Sequence, residues 1–133
     1  MKIGIISDIH DNIANLSKAF AIINQQQVNK VFFLGDLTTG FTMEYFQELK
    51  APVLAVFGNV EGDHLGIQRR INELKLQVQY APKQGLMWDI KLSNKRIALY
   101  HGHQQKITNC IVNSKLYDFV FTGHTHYPQT KTV

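Results

Sequence analysis

Short apolar runs alternate along the chain with stretches in which apolar residues recur at helical spacing. The runs contain β-branched and aromatic side chains and no charged positions, which is typical of strands buried on both faces. They are Ile3 to Ile6, Val31 to Leu34, Val53 to Phe57, Ile97 to Tyr100 and Phe119 to Phe121. This pattern predicts strands that are covered by helices.

Helices are expected between these strands. Asn12 precedes a stripe formed by Ile13, Leu16, Phe20 and Ile23, and it is expected to cap the first helix. Three more helices are predicted around the following residues: Phe46 and Leu49; Ile67, Ile71 and Leu74; Ile107, Ile111 and Leu116. Strands that alternate with helices indicate the α/β class.

One part of the chain breaks the alternation. Met87 to Leu92 and Lys95 to Tyr100 are separated only by Ser93 and Asn94, which predicts a β-hairpin. Its antiparallel strands indicate a second sheet. A chain of 133 residues fits one domain, so residues 1–133 are expected to form a single α/β unit.

Metal-capable side chains follow directly on the five buried runs. They are Asp8 and His10; Asp36; Asn59; His101 and His103; and His124 and His126. Residues two apart in an extended segment point the same way, so each pair offers two ligands to one place. Because ligands collect beyond the carboxyl ends of strands in α/β sheets, the sequence predicts a metal site there.

Each of these motifs taken separately is more often a turn, a cap or a surface histidine. Their joint occurrence, in order and each at a strand end, is much harder to explain by coincidence. His64 has no paired ligand and is expected to be a loop or helix-start residue.

Charge and composition limit the partners. The formal charge of +4 is spread along the chain, and its longest basic block is Arg69 and Arg70. Nucleic acid is therefore not an expected partner, although a phosphorylated substrate would not be repelled. The sequence also has neither a dinucleotide-binding glycine motif nor a P-loop.

Cys110 is the single cysteine, which excludes an internal disulfide and a zinc motif built on paired cysteines. It is expected to be a buried helix residue. The chain opens directly into a strand at Met1 to Ser7, and no apolar stretch approaches the roughly 18 residues of a membrane span. We therefore expect a cytoplasmic protein with no membrane association.

The ordered motifs resemble those of the calcineurin-like metallophosphoesterases. They are DxH at Asp8, GD at Gly35, GN at Gly58, HGH at His101 and GHTH at Gly123. The early DIH and the short loops are most similar to the small bacterial and archaeal phosphodiesterases of that superfamily. The resemblance spans residues 2 to 127 and implies a two-sheet β-sandwich flanked by helices.

The resemblance also implies a dinuclear metal centre. One ion would be held by Asp8, His10 and His126, and the other by Asn59, His101 and His124, with Asp36 bridging both. Carboxylate, amide and imidazole ligands without thiolate suit Mn, which is favoured here, or Fe, Zn, Ni or Co. Asp36, Asn59 and His101 would take part in catalysis through the ions, and His103 would contact substrate or orient His101.

The implied reaction is hydrolysis of a small phosphodiester by a hydroxide that two metal ions generate. Many phosphatases of the superfamily have a histidine directly after GN, whereas this chain has Val60, followed by Glu61. The group that would protonate the leaving group is therefore unassigned. Esters with good leaving groups, such as aryl phosphodiesters, are expected to be better substrates than alkyl monoesters.

Two alternatives stay open. The chain could be a non-catalytic scaffold of the same fold, as the retromer relative is, or a phosphomonoesterase on the same site; the complete ligand set favours an enzyme. Relatives continue past the GHTH motif, so C-terminal strands are expected to be missing from one sheet. An unpaired edge would result, and homo-oligomerisation through that edge is a further expectation.

Overall fold

The computed structural model describes residues 1–82 and 86–132. Its first sheet contains four parallel strands in the order β1-β2-β3-β4. These are β1 Ile3–Ile6, β2 Lys30–Phe33, β3 Val53–Ala55 and β4 Val78–Tyr80. Because β1, β2 and β3 run in the same direction, the loops that follow them leave from one edge of the sheet.

The second sheet contains three strands in the order β5-β6-β7. β5 Met87–Leu92 and β6 Lys95–Tyr100 form the antiparallel hairpin that the sequence predicts, and β7 Phe119–Thr122 pairs with β6 in parallel. The carboxyl ends of β6 and β7 therefore also lie side by side.

Three α-helices and a 3-10 helix connect the described strands. They are α1 Ile13–Gln25, the 3-10 helix Gly40–Glu48, α2 His64–Glu73 and α3 Gln105–Asn113. The Asn12 side chain accepts a hydrogen bond from the Asn15 amide at 3.1 Å, so the predicted helix cap is confirmed. Asp63 caps α2 in the same way through the Gly66 amide at 2.9 Å.

Apolar side chains fill three layers. Val31 and Phe33 on β2 face α1 and the 3-10 helix, whereas Phe32 between them faces the second sheet, where it packs with Leu99. A third cluster, which includes Tyr100, lies between the second sheet and α3. The expected fold class, α/β with two sheets flanked by helices, is confirmed.

Several local expectations were wrong. β4 was not predicted, and the second helix is a 3-10 helix. Strand limits differ by a few residues, since β1 begins at Ile3 and β3 ends at Ala55. Leu116 lies beyond the end of α3, which stops at Asn113; Lys115 has a positive φ of 55°, and this left-handed conformation cannot continue a right-handed helix.

Cys110 is exposed, so the expectation that it is buried was wrong. It lies three positions after Ile107 and one before Ile111, and Ile111 is the buried residue of α3. One residue corresponds to about 100° of helix rotation, so the neighbour of a buried position turns toward solvent.

In the part of the chain that the structure describes, no helix is long and apolar enough to cross a membrane.

A side-chain hydrogen bond joins a strand of one sheet to a strand of the other, and its removal is a test of the fold. The Trp88 indole N–H on β5 donates to the Ala55 carbonyl on β3 at 2.9 Å. Trp88→Phe keeps an aromatic ring but removes the hydrogen-bond donor, so the free energy of unfolding should fall by about 0.5–1.5 kcal/mol. The smaller ring also buries less apolar area, which should lower the free energy of unfolding further. Urea unfolding should be followed by circular dichroism and not by tryptophan fluorescence, because Trp88 is the only tryptophan and the variant lacks it.

The matched control is Tyr127→Phe, which also removes one polar group but at a side chain that is 81% exposed. Its stability should stay within about 0.5 kcal/mol of the native value. Equal stability of Trp88→Phe and the native chain would contradict a structural role for the inter-sheet hydrogen bond.

Candidate metal centre

The loops that follow β1, β2, β3, β6 and β7 converge at one edge of the sandwich. They carry all the residues that the sequence predicts as ligands, namely Asp8, His10, Asp36, Asn59, His101, His124 and His126. Contacts between these loops bring together residues that are more than a hundred positions apart, since the His124 amide donates to the Asp8 carboxylate at 3.0 Å.

Asp36 lies at the centre of the cluster and is only 2% exposed. Its Oδ1 accepts a hydrogen bond from the Val60 amide at 3.0 Å. Its Oδ2 lies 3.6 Å from His10 Nε2 and 3.3 Å from His101 Nε2. One carboxylate oxygen therefore faces two imidazole nitrogens that approach from different loops.

His101 is fully buried, and its surroundings define its tautomer. Nδ1 lies 2.7 Å from the Leu34 carbonyl, which can only accept, so Nδ1 carries the proton. In the neutral ring, the lone pair on Nε2 then points toward Asn59 Oδ1 at 2.9 Å and Asp36 Oδ2 at 3.3 Å. Three electron-rich atoms converge there, which is the arrangement that a cation would stabilise.

The ligand atoms fall into two groups. Asp8, His10 and His126 form one, and Asp36, His101 and His124 form the other; within each group the atoms lie within 4.8 Å of one another. His126 Nε2 approaches Asp8 Oδ1 to 3.3 Å in the first group, and Asn59 adds an oxygen to the second. The geometry thus brings together every predicted ligand.

The backbone at these residues is unusual. Asp8, His10, Asp36, His124 and His126 all have positive φ, between 47° and 70°, although none is glycine. Such conformations are uncommon for residues with a Cβ and persist only where the surrounding structure enforces them. Here the loop after β1 is held to the loop after β2 by backbone hydrogen bonds, from Asp8 to Gly35 at 2.9 Å and from His10 to Asp36 at 3.0 Å.

The donor set fits a divalent metal ion. Carboxylate, amide oxygen and imidazole nitrogen converge without thiolate, and such mixed oxygen and nitrogen sets suit first-row divalent ions. The Leu34 carbonyl orients His101 as second-sphere acceptors orient metal-bound imidazoles.

Comparison with known proteins identifies the family. A family model described as the calcineurin-like phosphoesterase superfamily domain matches residues 1–133. The chain belongs to this superfamily. It is therefore a metal-dependent phosphoesterase, as the motif resemblance implied.

Relatives with known sequences and structures agree with this assignment. Phosphodiesterase MJ0936 of Methanocaldococcus jannaschii is 31% identical over 129 residues, which cover 95% of this chain and 74% of that protein. The solved structure of an archaeal phosphodiesterase has a TM-score of 0.89 at 30% identity, and the match covers 100% of this chain and 78% of that one. Vps29 of Entamoeba histolytica in complex with Zn²⁺ shares the fold, with a TM-score of 0.62 at 21% identity over 100% of this chain and 69% of that one.

His103 of the phosphoesterase lies beside the predicted ligands. Its ring centre is 5.6 Å from that of His101 and 6.4 Å from that of His124. Burial lowers the pKa of His103, and the neighbouring His101 and His124 lower it further. Its Nδ1 is buried and has no hydrogen-bond partner among the described residues, whereas its Nε2 lies 3.4 Å from the side-chain amide of Gln104.

Sequence reasoning did not assign a role to Glu61. Only 8% of this residue is exposed, and its carboxylate accepts hydrogen bonds from the Leu37 and Gly58 amides. Burial raises the pKa of Glu61, while these two hydrogen bonds lower it in part. Its position two residues after Asn59 was the available signal, but burial cannot be inferred from one acidic residue in a sequence.

His64 is the first residue of α2, as predicted, and its ring stacks on that of Phe57 with 3.9 Å between the ring centres.

Gly58 offers a direct test of how closely the loops must pack. A Cβ at this position would lie 2.0 Å from Asp36 Oδ1 and 2.6 Å from the Asp36 amide nitrogen. Gly58→Ala must therefore displace Asp36, and a displacement of about 1 Å at a catalytic group can cost about 100-fold in rate. We expect phosphoesterase activity and metal affinity both to fall strongly, as measured by steady-state kinetics and calorimetric titration.

Gly62→Ala is the matched control, because nothing lies within 4 Å of a Cβ built at Gly62. This variant should retain native activity to within about twofold. Native activity in Gly58→Ala would show that the loops can separate without functional cost.

Proposed function

We propose that the chain is a phosphodiesterase that uses two divalent metal ions. The observation that supports this best is the position of Asp36 Oδ2, which lies 3.6 Å from a histidine of one ligand group and 3.3 Å from a histidine of the other. Asp36 is therefore the residue that both groups would share when ions are bound.

Each ion has its own set of residues in this proposal. Asp8, His10 and His126 hold one, and Asn59, His101 and His124 hold the other. Manganese is favoured, and Fe, Zn, Ni or Co also match the ligand types. When bound, the ions supply Lewis acidity, which activates water and neutralises charge on the phosphoryl group.

The protein positions the reacting groups. Asp36 and His101 are buried and fixed by the Val60 amide and the Leu34 carbonyl, whereas Asn59, His124 and His126 are exposed. The solvent side of the centre is thus the side from which a phosphate can enter. The lowered pKa of His103 favours the neutral imidazole, whose one N–H can donate a hydrogen bond to a phosphoryl oxygen.

A diester is favoured over a monoester by two observations. Phosphodiesterase MJ0936, at 31% identity, acts on diesters according to its name. Val60, which is 41% exposed beside Asn59, has no titratable group that could protonate a poor leaving group. The proposed substrate is therefore a small phosphodiester with a good leaving group.

The scaffold alternative rests on the fold that the chain shares with Vps29. It is disfavoured because all seven ligand side chains are present and adjacent. Nucleic acid stays an unexpected partner because the charge is diffuse. Homo-oligomerisation stays a prediction; β7 is an edge strand of the second sheet, and Phe119 on it is 48% exposed.

Asp36→Asn tests the metal centre. The amide can still accept from the Val60 amide, so the fold should persist, but the negative charge between the two ligand groups is lost. We expect hydrolysis of bis(p-nitrophenyl) phosphate with Mn²⁺ to fall by about two orders of magnitude or more. Metal content of the purified protein should fall in parallel.

Asp89→Asn serves as the control, because Asp89 pairs with Arg96 on the second sheet, away from the ligand loops. It should retain native metal content and activity. Near-native activity of Asp36→Asn would refute the site, and an inactive native chain with two bound ions would favour the scaffold alternative.

Val60 tests substrate preference. The native chain should hydrolyse bis(p-nitrophenyl) phosphate with a higher kcat/KM than an alkyl monoester such as glycerol phosphate, since Val60 supplies no acid for the leaving group. Val60→His should raise the relative rate on the alkyl ester by about tenfold, whereas Val60→Gln, polar but not titratable, should not. Equal or faster turnover of the alkyl monoester by the native chain would contradict the preference.

A further inference from the structure

Glu61 joins the two loops that carry Asp36 and Asn59. Its Oε1 accepts a hydrogen bond from the Leu37 amide at 2.8 Å, and its Oε2 accepts one from the Gly58 amide at 2.6 Å. Leu37 directly follows Asp36, and Gly58 directly precedes Asn59. One side chain therefore contacts the backbone next to both residues.

The connection between these loops is reciprocal. Asp36 on the first loop accepts from the Val60 amide on the second, and Glu61 on the second loop accepts from the Leu37 amide on the first. Hydrogen bonds to a carboxylate are stronger than those between neutral groups, and burial of Glu61 strengthens them further. The two loops are thus fixed relative to each other at two points.

We propose that Glu61 is a positioning residue that sets the distance between Asp36 and Asn59, and thereby the affinity of the ion that these two residues share. This inference rests on the proposed two-metal function. Glu61 belongs to neither group of converging ligand atoms, and each of its oxygens accepts a hydrogen bond from a backbone amide. It acts through the conformation of the ligand loops.

The test is Glu61→Gln. Glutamine has nearly the same shape, but its NH₂ group replaces one oxygen, so it can keep only one of the two hydrogen bonds. Calorimetric titration of Mn²⁺ into the metal-free protein should show a 10- to 100-fold loss of affinity at the Asp36, Asn59 and His101 site, the range typical when groups that orient metal ligands are removed. The site of Asp8, His10 and His126 should change much less.

Glu73→Gln is the matched control. It makes the same chemical change at an exposed residue that pairs with Arg69 and Arg70 on the surface of α2. Both metal affinities should equal those of the native chain. Affinities within twofold of native in folded Glu61→Gln would overturn the proposal, since a purely structural role would lower the melting temperature and leave metal binding intact.

Amide hydrogen exchange in the metal-free native chain provides a second, independent readout. The Leu37 and Gly58 amides lie outside the strands but should exchange as slowly as strand amides, and Glu61→Gln should accelerate at least one of them. Fast exchange of both in the native chain would overturn the proposal even if the variant does not fold. Absence of metal binding by the native chain would refute the proposed function, while slow exchange would still support the connection between the loops.

Discussion

The Asp36 carboxylate is buried among groups that donate few hydrogen bonds to it, and the rest of the site is arranged around this carboxylate. Among the described residues, the hydrogen bond to Asp36 Oδ1 comes from the Val60 amide, and Oδ2 lies 3.3 Å from His101 Nε2. A buried charge without compensation costs several kcal/mol. A divalent cation held between these atoms would provide the compensation, and metal binding would then be coupled to folding stability at this position.

Backbone strain is placed where that cation would be held. The predicted ligand residues with positive φ lie in loops directly after strands, and the register of the parallel strands β1 and β2 fixes where the first two of those loops begin. Close approach completes the arrangement, because Gly35 has φ of +96° and a Cβ there would lie 2.8 Å from His101 Nδ1. The sheets hold the ends of these loops rigidly, and the backbone strain lies at the predicted ligand residues with positive φ.

The sequence was sufficient to predict the fold class, the hairpin, the cap at Asn12 and the adjacency of the ligand residues, because each depends on a local pattern or on motif order. β4 was missed because it is only three residues long and mixes polar with apolar positions. The exposure of Cys110 and the burial of Glu61 depend on which elements pack nearby, which a local pattern does not contain. The two ligand groups likewise came from family resemblance and not from spacing.

The distribution of burial across the ligands bears on whether such a centre is structural or catalytic. A structural ion is normally enclosed by protein ligands, whereas a catalytic ion keeps open positions for water or substrate. Here Asp36 and His101 form a buried base, while Asn59, His124 and His126 stand at the exposed rim. Exposed side chains hold an ion less rigidly than enclosed ones, so this arrangement is unlike that of a purely structural metal site. The open rim, with the His103 ring 5.6 Å from the His101 ring, is an arrangement suited to substrate binding.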